Sequence, residues 1–166
     1  DDAQLAVACA SHDGSAMHLE AVRSILARYD LDESDLANTP TRPSGAAPRA
    51  AARAAGIEPS SIQQNCSGKH AAMLATCRVN GWSTDGYLDQ GHPVQVAITA
   101  GMVSLGAVVH HVGVDGCGAP TQALSLSGLA GAFGTLAAPG SVIARAMSWE
   151  RCRASGDIGC GCQLSR

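Results

Sequence analysis

The apolar positions of this chain change period along its length, and each change marks an element. Leu5-Ala6-Val7-Ala8-Cys9-Ala10 is an unbroken apolar run of strand length that stops at Ser11-His12-Asp13-Gly14, so it reads as a buried strand. From about Met17 to Tyr29 the period lengthens to that of a helix. Met17, Val22, Ile25, Leu26 and Tyr29 share one face, and Ser15 stands where an N-cap belongs. Thr39 to Pro48 carries three prolines and reads as a loop. The alanine-rich stretch 49–55 predicts a helix stopped by Gly56. The best-bounded helix runs from about Ser67 to Val79 and closes on Asn80-Gly81. Gly91-His92-Pro93 opens another, which continues through Val94, Ile98 and Met102 to Gly106. The β-branched run Val108 to Val114 predicts a strand that delivers Asp115 and Cys117 to a glycine-lined turn. Ala123 to Leu126 reads as a short strand, and Ser127 as the cap of a glycine-interrupted helix to Leu136. Strands and helices mix without a regular βαβ period, which implies an α+β fold.

Composition thins this picture. A chain of 166 residues fits one domain, which on folding alone buries roughly 68–70% of its unfolded surface. Its apolar fraction, however, is inflated by alanine: leucine, valine, isoleucine and phenylalanine make up only about a fifth of the chain, close to the level at which a core becomes thin. The net charge of −3, with no basic stripe and no acidic tail, argues against nucleic acid and for a small polar substrate. No apolar run reaches the ~18–20 residues a bilayer requires, so no membrane is expected. Asp1-Asp2-Ala3 is neither a basic leader nor an initiating methionine, so the sequence reads as opening mid-chain. Seven cysteines, at 9, 66, 77, 117, 152, 160 and 162, do not form a secreted disulfide framework. They imply cytoplasmic thiols that are buried, catalytic or metal-bound. Residues 148–166 lose all apolar periodicity and read as a divergent tail, unstructured or out of frame. There Cys152, Cys160 and Cys162 offer only a Cys-x-Cys as a metal motif.

The chemistry concentrates around Lys69, the only lysine beside ten arginines, in Asn65-Cys66-Ser67-Gly68-Lys69-His70. A P-loop would need glycine at 63 and Ser or Thr at 70, and the chain has Gln63 and His70. Two readings remain. In one, Cys66 is a nucleophile at a helix N-terminus, its pKa lowered by Lys69 and the helix dipole, with His70 as base. In the other, Cys66, Lys69 and Cys117 share a zinc ion, two soft thiolates and an amine that must give up its proton. Spacing alone favours the thiol. Against both stands the bland alternative that a cysteine at a helix start is packing. Cys9 and Cys77, on apolar segments, are expected in the core. His110 and His111, adjacent on a strand, are expected to face opposite sides in structural roles, and Met17 and His18 are helix-face residues.

Five blocks together carry a resemblance. They are Ala8-Cys9-Ala10-Ser11-His12-Asp13-Gly14; Asn65 to His70 leading into Ala71-Ala72-Met73-Leu74; Gly81-Trp82 with Tyr87; His92-Pro93-x-Gln95; and Asp115-Gly116-Cys117-Gly118-Ala119-Pro120. In order and approximate spacing they resemble the asparaginase II family, the class 3 bacterial L-asparaginases, over residues 1–147. The resemblance implies a fold similar to serine β-lactamases and glutaminases, here a central part of it. It implies hydrolysis of L-asparagine to L-aspartate and ammonia, with zinc on Cys66, Lys69 and Cys117. Asp115 and His70 would support that site, and Ser11 would belong to the catalytic Ser/Lys arrangement. It also suggests a homodimer. The metal reading thereby rises above the thiol reading, since zinc can hold the Lys69 amine deprotonated. Two departures weaken the expected activity. The family's Ser-x-x-Lys pair and a later catalytic lysine have no counterpart in this chain. A smaller change is Ala72, where the family usually has glycine. A truncated, impaired amidohydrolase is therefore expected, with a non-catalytic zinc-binding remnant as the alternative.

Overall fold

The structure, a computed structural model, describes residues 2–138, so the 148–166 tail with Cys152, Cys160 and Cys162 lies outside the described residues. Among the described residues six helices and one hairpin follow in order: α1 (Asp2–Cys9), α2 (Ala16–Ala27), α3 (Ala46–Ala54), α4 (Ser67–Asn80), α5 (Pro93–Ser104), β1 (Val109–Val114), β2 (Pro120–Leu124) and α6 (Leu126–Ala137), with a short 3-10 turn at Glu33–Asp35. The expected α+β class holds.

Helix α4 is the axis. Ser67, Gly68, His70, Ala71, Met73, Leu74, Ala75 and Cys77 are all buried, so the helix is enclosed on more than one face. Helices α1 and α2 pack against it and against each other, and α5 bridges α4 to β1. Val7, Val22, Leu26, Leu74 and Tyr87 fill the space between them. A leucine as enclosed as Leu74 contributes roughly 1.5–3 kcal/mol by leaving water. The helix ends where Gly81 adopts a left-handed φ of 66°, the conformation glycine takes without strain.

The sequence reading errs first at α1. The run Leu5 to Ala10 is helix, not strand, up to Cys9. A short apolar run carries no period that separates the two, and here tertiary packing decides. At Gly68 the Val7 backbone comes so close that a Cβ would fall inside the Val7 carbonyl oxygen. Only glycine permits that approach. Cys9, expected in the core, is consequently exposed at the end of α1, whereas Cys77 is buried as expected.

Element boundaries move for identifiable reasons. Helix α3 begins at Ala46, placing Pro48 in its first turn, where the missing N–H leaves no bond unmade. Ser15 occupies the N-cap position of α2, but its hydroxyl pairs with His18 Nδ1 at 2.9 Å and makes no cap bond. The cap of α6 is Ser125, accepting from the Gly128 N–H at 3.0 Å, two residues before the expected Ser127. Strand β2 starts at Pro120, earlier than Ala123, because the hairpin turn fixes its register. Val114 pairs with Pro120 and Val112 with Gln122. A register shift lies between Val109 and His111, and His110 and His111 are both exposed. Among the described residues no helix is long and apolar enough to cross a membrane.

Two glycine substitutions test the α1–α4 contact. Gly68→Ala should force the helices apart and lower stability by about 1–3 kcal/mol or more. Gly101→Ala, in α5 with open space around it, should raise stability by roughly 0.5–1 kcal/mol. Thermal or urea unfolding reads both; equal effects would contradict the packing described.

Candidate metal centre

Two elements far apart in sequence bring the chemistry together. Cys66 is the residue at the N-cap of α4, and its side chain makes no cap bond, so its thiol is free to face elsewhere. Asp115 and Cys117 sit in the turn between β1 and β2. That turn is closed by Gly118 N–H donating to Asp115 O at 2.8 Å and Asp115 N–H to Ala119 O at 2.9 Å, with Gly118 at φ +88°. Thr39 N–H donates to Cys117 O at 3.2 Å and ties the turn to the loop after α2. Among the described residues, the Sγ atoms of Cys66 and Cys117 and a carboxylate oxygen of Asp115 all lie within 4.8 Å of one another. Cys117 is buried, Cys66 half-buried and Asp115 exposed.

Lys69 joins this group from the first turn of α4. Its ammonium reaches Asp115 Oδ2 at 3.5 Å, and the Cys117 thiol is a second partner. The Asp115 carboxyl is held below the usual carboxylate range by the thiol of Cys117, which donates to it at 3.3 Å, by the Gly116 N–H and by Lys69. Burial works against the Lys69 charge, but Cys117, Cys66 and Asp115 outweigh it and push the lysine up. The Cys66 thiol is also pushed up. Burial is the main cause, the Lys69 ammonium opposes it, and Cys117 and Asp115 reinforce it. The sequence reading expected a lowered Cys66; the helix N-terminus and Lys69 do not overcome desolvation and two neighbouring acids. Cys66 therefore favours its thiol form and Lys69 its ammonium form, which argues against a standing Cys66 thiolate for amide chemistry; a metal bound by them must displace those two protons.

His70, expected to support the site, turns into the core. It is fully buried, with Nδ1 at 2.8 Å from the Tyr87 hydroxyl, and Nε2 has no partner among the described residues. Burial, then Lys69, push its pKa down to about 4, with Asp115 opposing. So weak a base does little for Cys66 near neutrality. Tyr87 also accepts the Ala37 N–H at 3.1 Å, and Gln95 Nε2 donates to Tyr87 O at 2.8 Å. Periodicity gave no hint of this buried His70–Tyr87–Gln95 string, although each residue stood in a family-like block.

Ser11 is exposed, at the step out of α1. Its neighbour His12 holds that step to the N-terminal end of α4. His12 N–H donates to Asn65 O at 3.1 Å, and Nδ1 accepts from Gly14 N–H at 3.2 Å. Nε2 lies 2.9 Å from Ser67 Oγ, which in turn donates to Ile62 O at 2.8 Å. Since Nδ1 accepts, Nε2 carries the proton and donates to Ser67. Asn65 adjoins Cys66, so Ser11 comes out of α1 beside the start of α4. A further pair was missed altogether: His18 is buried, 2.8 Å from Asp13 Oδ1.

A model of the L-asparaginase II family matches residues 1–155, nearly the whole chain, and the matched stretch ends inside the 148–166 segment. The chain belongs to the L-asparaginase II family. The search of curated proteins finds no match.

The buried histidines set an acid limit on the fold. Burial, with His18 next and Asp13 opposing, pushes His12 down to about 4, as His70 is pushed, from an ordinary 6.5. Between those values the unfolded chain binds protons that the folded chain refuses, so stability rises with pH across the window and is lost as pH falls through it. The melting temperature should drop steadily from pH 6.5 to pH 4, and His12→Gln should flatten the drop. A melting temperature unchanged over that range would contradict neutral buried histidines.

Proposed function

We propose that the chain binds one zinc ion through Cys66, Cys117 and Lys69, with Asp115 supporting, and that this centre belongs to a site for amide hydrolysis of L-asparagine to L-aspartate and ammonia. The observation that carries the reading is the convergence of Cys66, Asp115 and Cys117 within 4.8 Å in a chain of the L-asparaginase II family. The donor set fits the ion: two thiols are soft donors that zinc favours, and Lys69 already stands among them. When bound, the ion would supply positive charge that polarises an amide carbonyl.

What the chain's own residues do can be stated without it. Asp115 holds the Lys69 ammonium at 3.5 Å and accepts from Cys117, so it orients both. Loss of the Lys69 proton to solvent frees the amine as a donor. Ser11 offers an exposed hydroxyl beside the start of α4. Family membership supports a partial serine β-lactamase-like frame around it.

A second reading has a specific observation in its favour. The only lysine of the sequence is committed to Asp115 and Cys117, so Ser11 has no lysine amine within this sequence to activate it. On that reading the chain binds zinc without turnover.

Zinc titration of the chelator-treated chain should give one equivalent bound, strengthening as pH rises because the thiols and the amine must lose protons. Cys66→Ser and Cys117→Ser should each weaken binding by at least about tenfold. Ammonia release from L-asparagine then separates the two readings: turnover lost in Lys69→Ala supports the hydrolase, and binding without turnover supports the remnant. A chain that binds no zinc at any pH contradicts both.

A further inference from the structure

The two thiols of the centre are close enough to react with each other, and this needs no ion at the site. Cys66 and Cys117 are 51 positions apart, yet their Sγ atoms lie within 4.8 Å. They are carried by elements that packing and main-chain bonds hold: the buried start of α4 and the turn pinned by Thr39. An S–S bond is about 2.0 Å long, so the two sulfurs have to move together from that separation to form one. The two differ in access. Cys66 is half-buried and meets solvent, whereas Cys117 is only 2% exposed. Access therefore makes Cys66 the sulfur that an oxidant in solvent meets first, with Cys117 next to it.

We infer that Cys66 and Cys117 form a reversible disulfide when a hydroperoxide oxidises the ion-free chain, closing the centre to metal. The steps balance. The Cys66 thiol first gives its proton to solvent; the sulfur then attacks the peroxide, its O–O bond breaks, and sulfenic acid and, with that proton returned, one water form from hydrogen peroxide. The Cys117 sulfur then displaces that hydroxyl, which leaves as a second water with the proton of the Cys117 thiol. Two thiols lose two electrons and two protons in all, and the peroxide takes them up. A dithiol reductant returns both thiols. Metal and disulfide exclude one another, because both require the same two sulfurs.

Trypsin reads the outcome directly. Cleavage after Arg53 and Lys69 leaves Cys66 as the only cysteine of peptide 54–69. Cleavage after Arg78 and Arg145 leaves Cys117 as the only one of 79–145, and Cys77 falls in a third peptide. The chelator-treated chain is exposed to hydrogen peroxide at a concentration where buried Cys77 resists alkylation. Peptides 54–69 and 79–145 should then appear joined, lighter by two hydrogen atoms than their sum and separated again by dithiothreitol. Loss of the Cys66 and Cys117 thiols should be simultaneous, and in Cys117→Ser the Cys66 peptide should stop at the sulfenic acid. If zinc binds, prior loading should slow the loss; an equal rate with zinc bound elsewhere would count against the metal reading while leaving the disulfide standing. Independent alkylation of both peptides after peroxide, or Cys66 joined to a cysteine other than Cys117, would overturn the inference.

Discussion

The contact on which the rest of this structure depends is the approach of the Val7 backbone to Gly68. A side chain at 68 would collide with the Val7 carbonyl, so the absence of a Cβ lets α1 lie against the first turn of α4. That contact does three things at once. It buries Val7 at the start of a core that has few large apolar residues to spend. It makes the exit of α1 run past Asn65, where the His12 main chain and ring bind it. It also encloses the N-terminal turn of α4, so that Cys66 and Lys69 project from a buried base. The glycine of Ser67-Gly68-Lys69, in a segment that lacks the other residues of a P-loop, is a packing glycine in the fold.

The centre that results is a compromise between burial and charge. Burial pushes the half-buried Cys66 thiol up in spite of the lysine three residues on. Lys69 is stabilised as an ammonium by the groups it would help bind a metal with. The solvent-exposed part of its ion pair with Asp115 adds little stability by itself. Its effect is orientation: it keeps an amine, a carboxylate and a thiol facing one point. A cation that enters must expel protons. An oxidant that enters must join the sulfurs. The same geometry permits either and not both.

Much of this was legible from the residues, and the exceptions have physical causes. Helix α4, its Gly81 stop and Cys66 at its head follow from local signals that act within a turn, so they survive folding unchanged. The turn carrying Asp115 and Cys117 is likewise local. The reading failed where long-range packing overrides a short pattern: Leu5 to Cys9 is helical because α4 offers it a glycine to lie on. It failed again on β2, whose start is set by pairing with β1 rather than by its own residues. The expected low pKa of Cys66 rested on neighbours in sequence, and burial together with residues 49 and 51 positions away reversed it. The His70–Tyr87–Gln95 string is invisible to periodicity because its members lie in three separate segments.

The central claim is that α4 and the hairpin turn place two sulfurs and a nitrogen or oxygen donor on one zinc ion. X-ray absorption at the zinc edge, measured on the zinc-loaded chain, tests it most directly. The account predicts two sulfur scatterers at about 2.3 Å with the remaining donors nitrogen or oxygen at about 2.0–2.2 Å. A shell of nitrogen and oxygen alone, or one with four sulfurs, would contradict it.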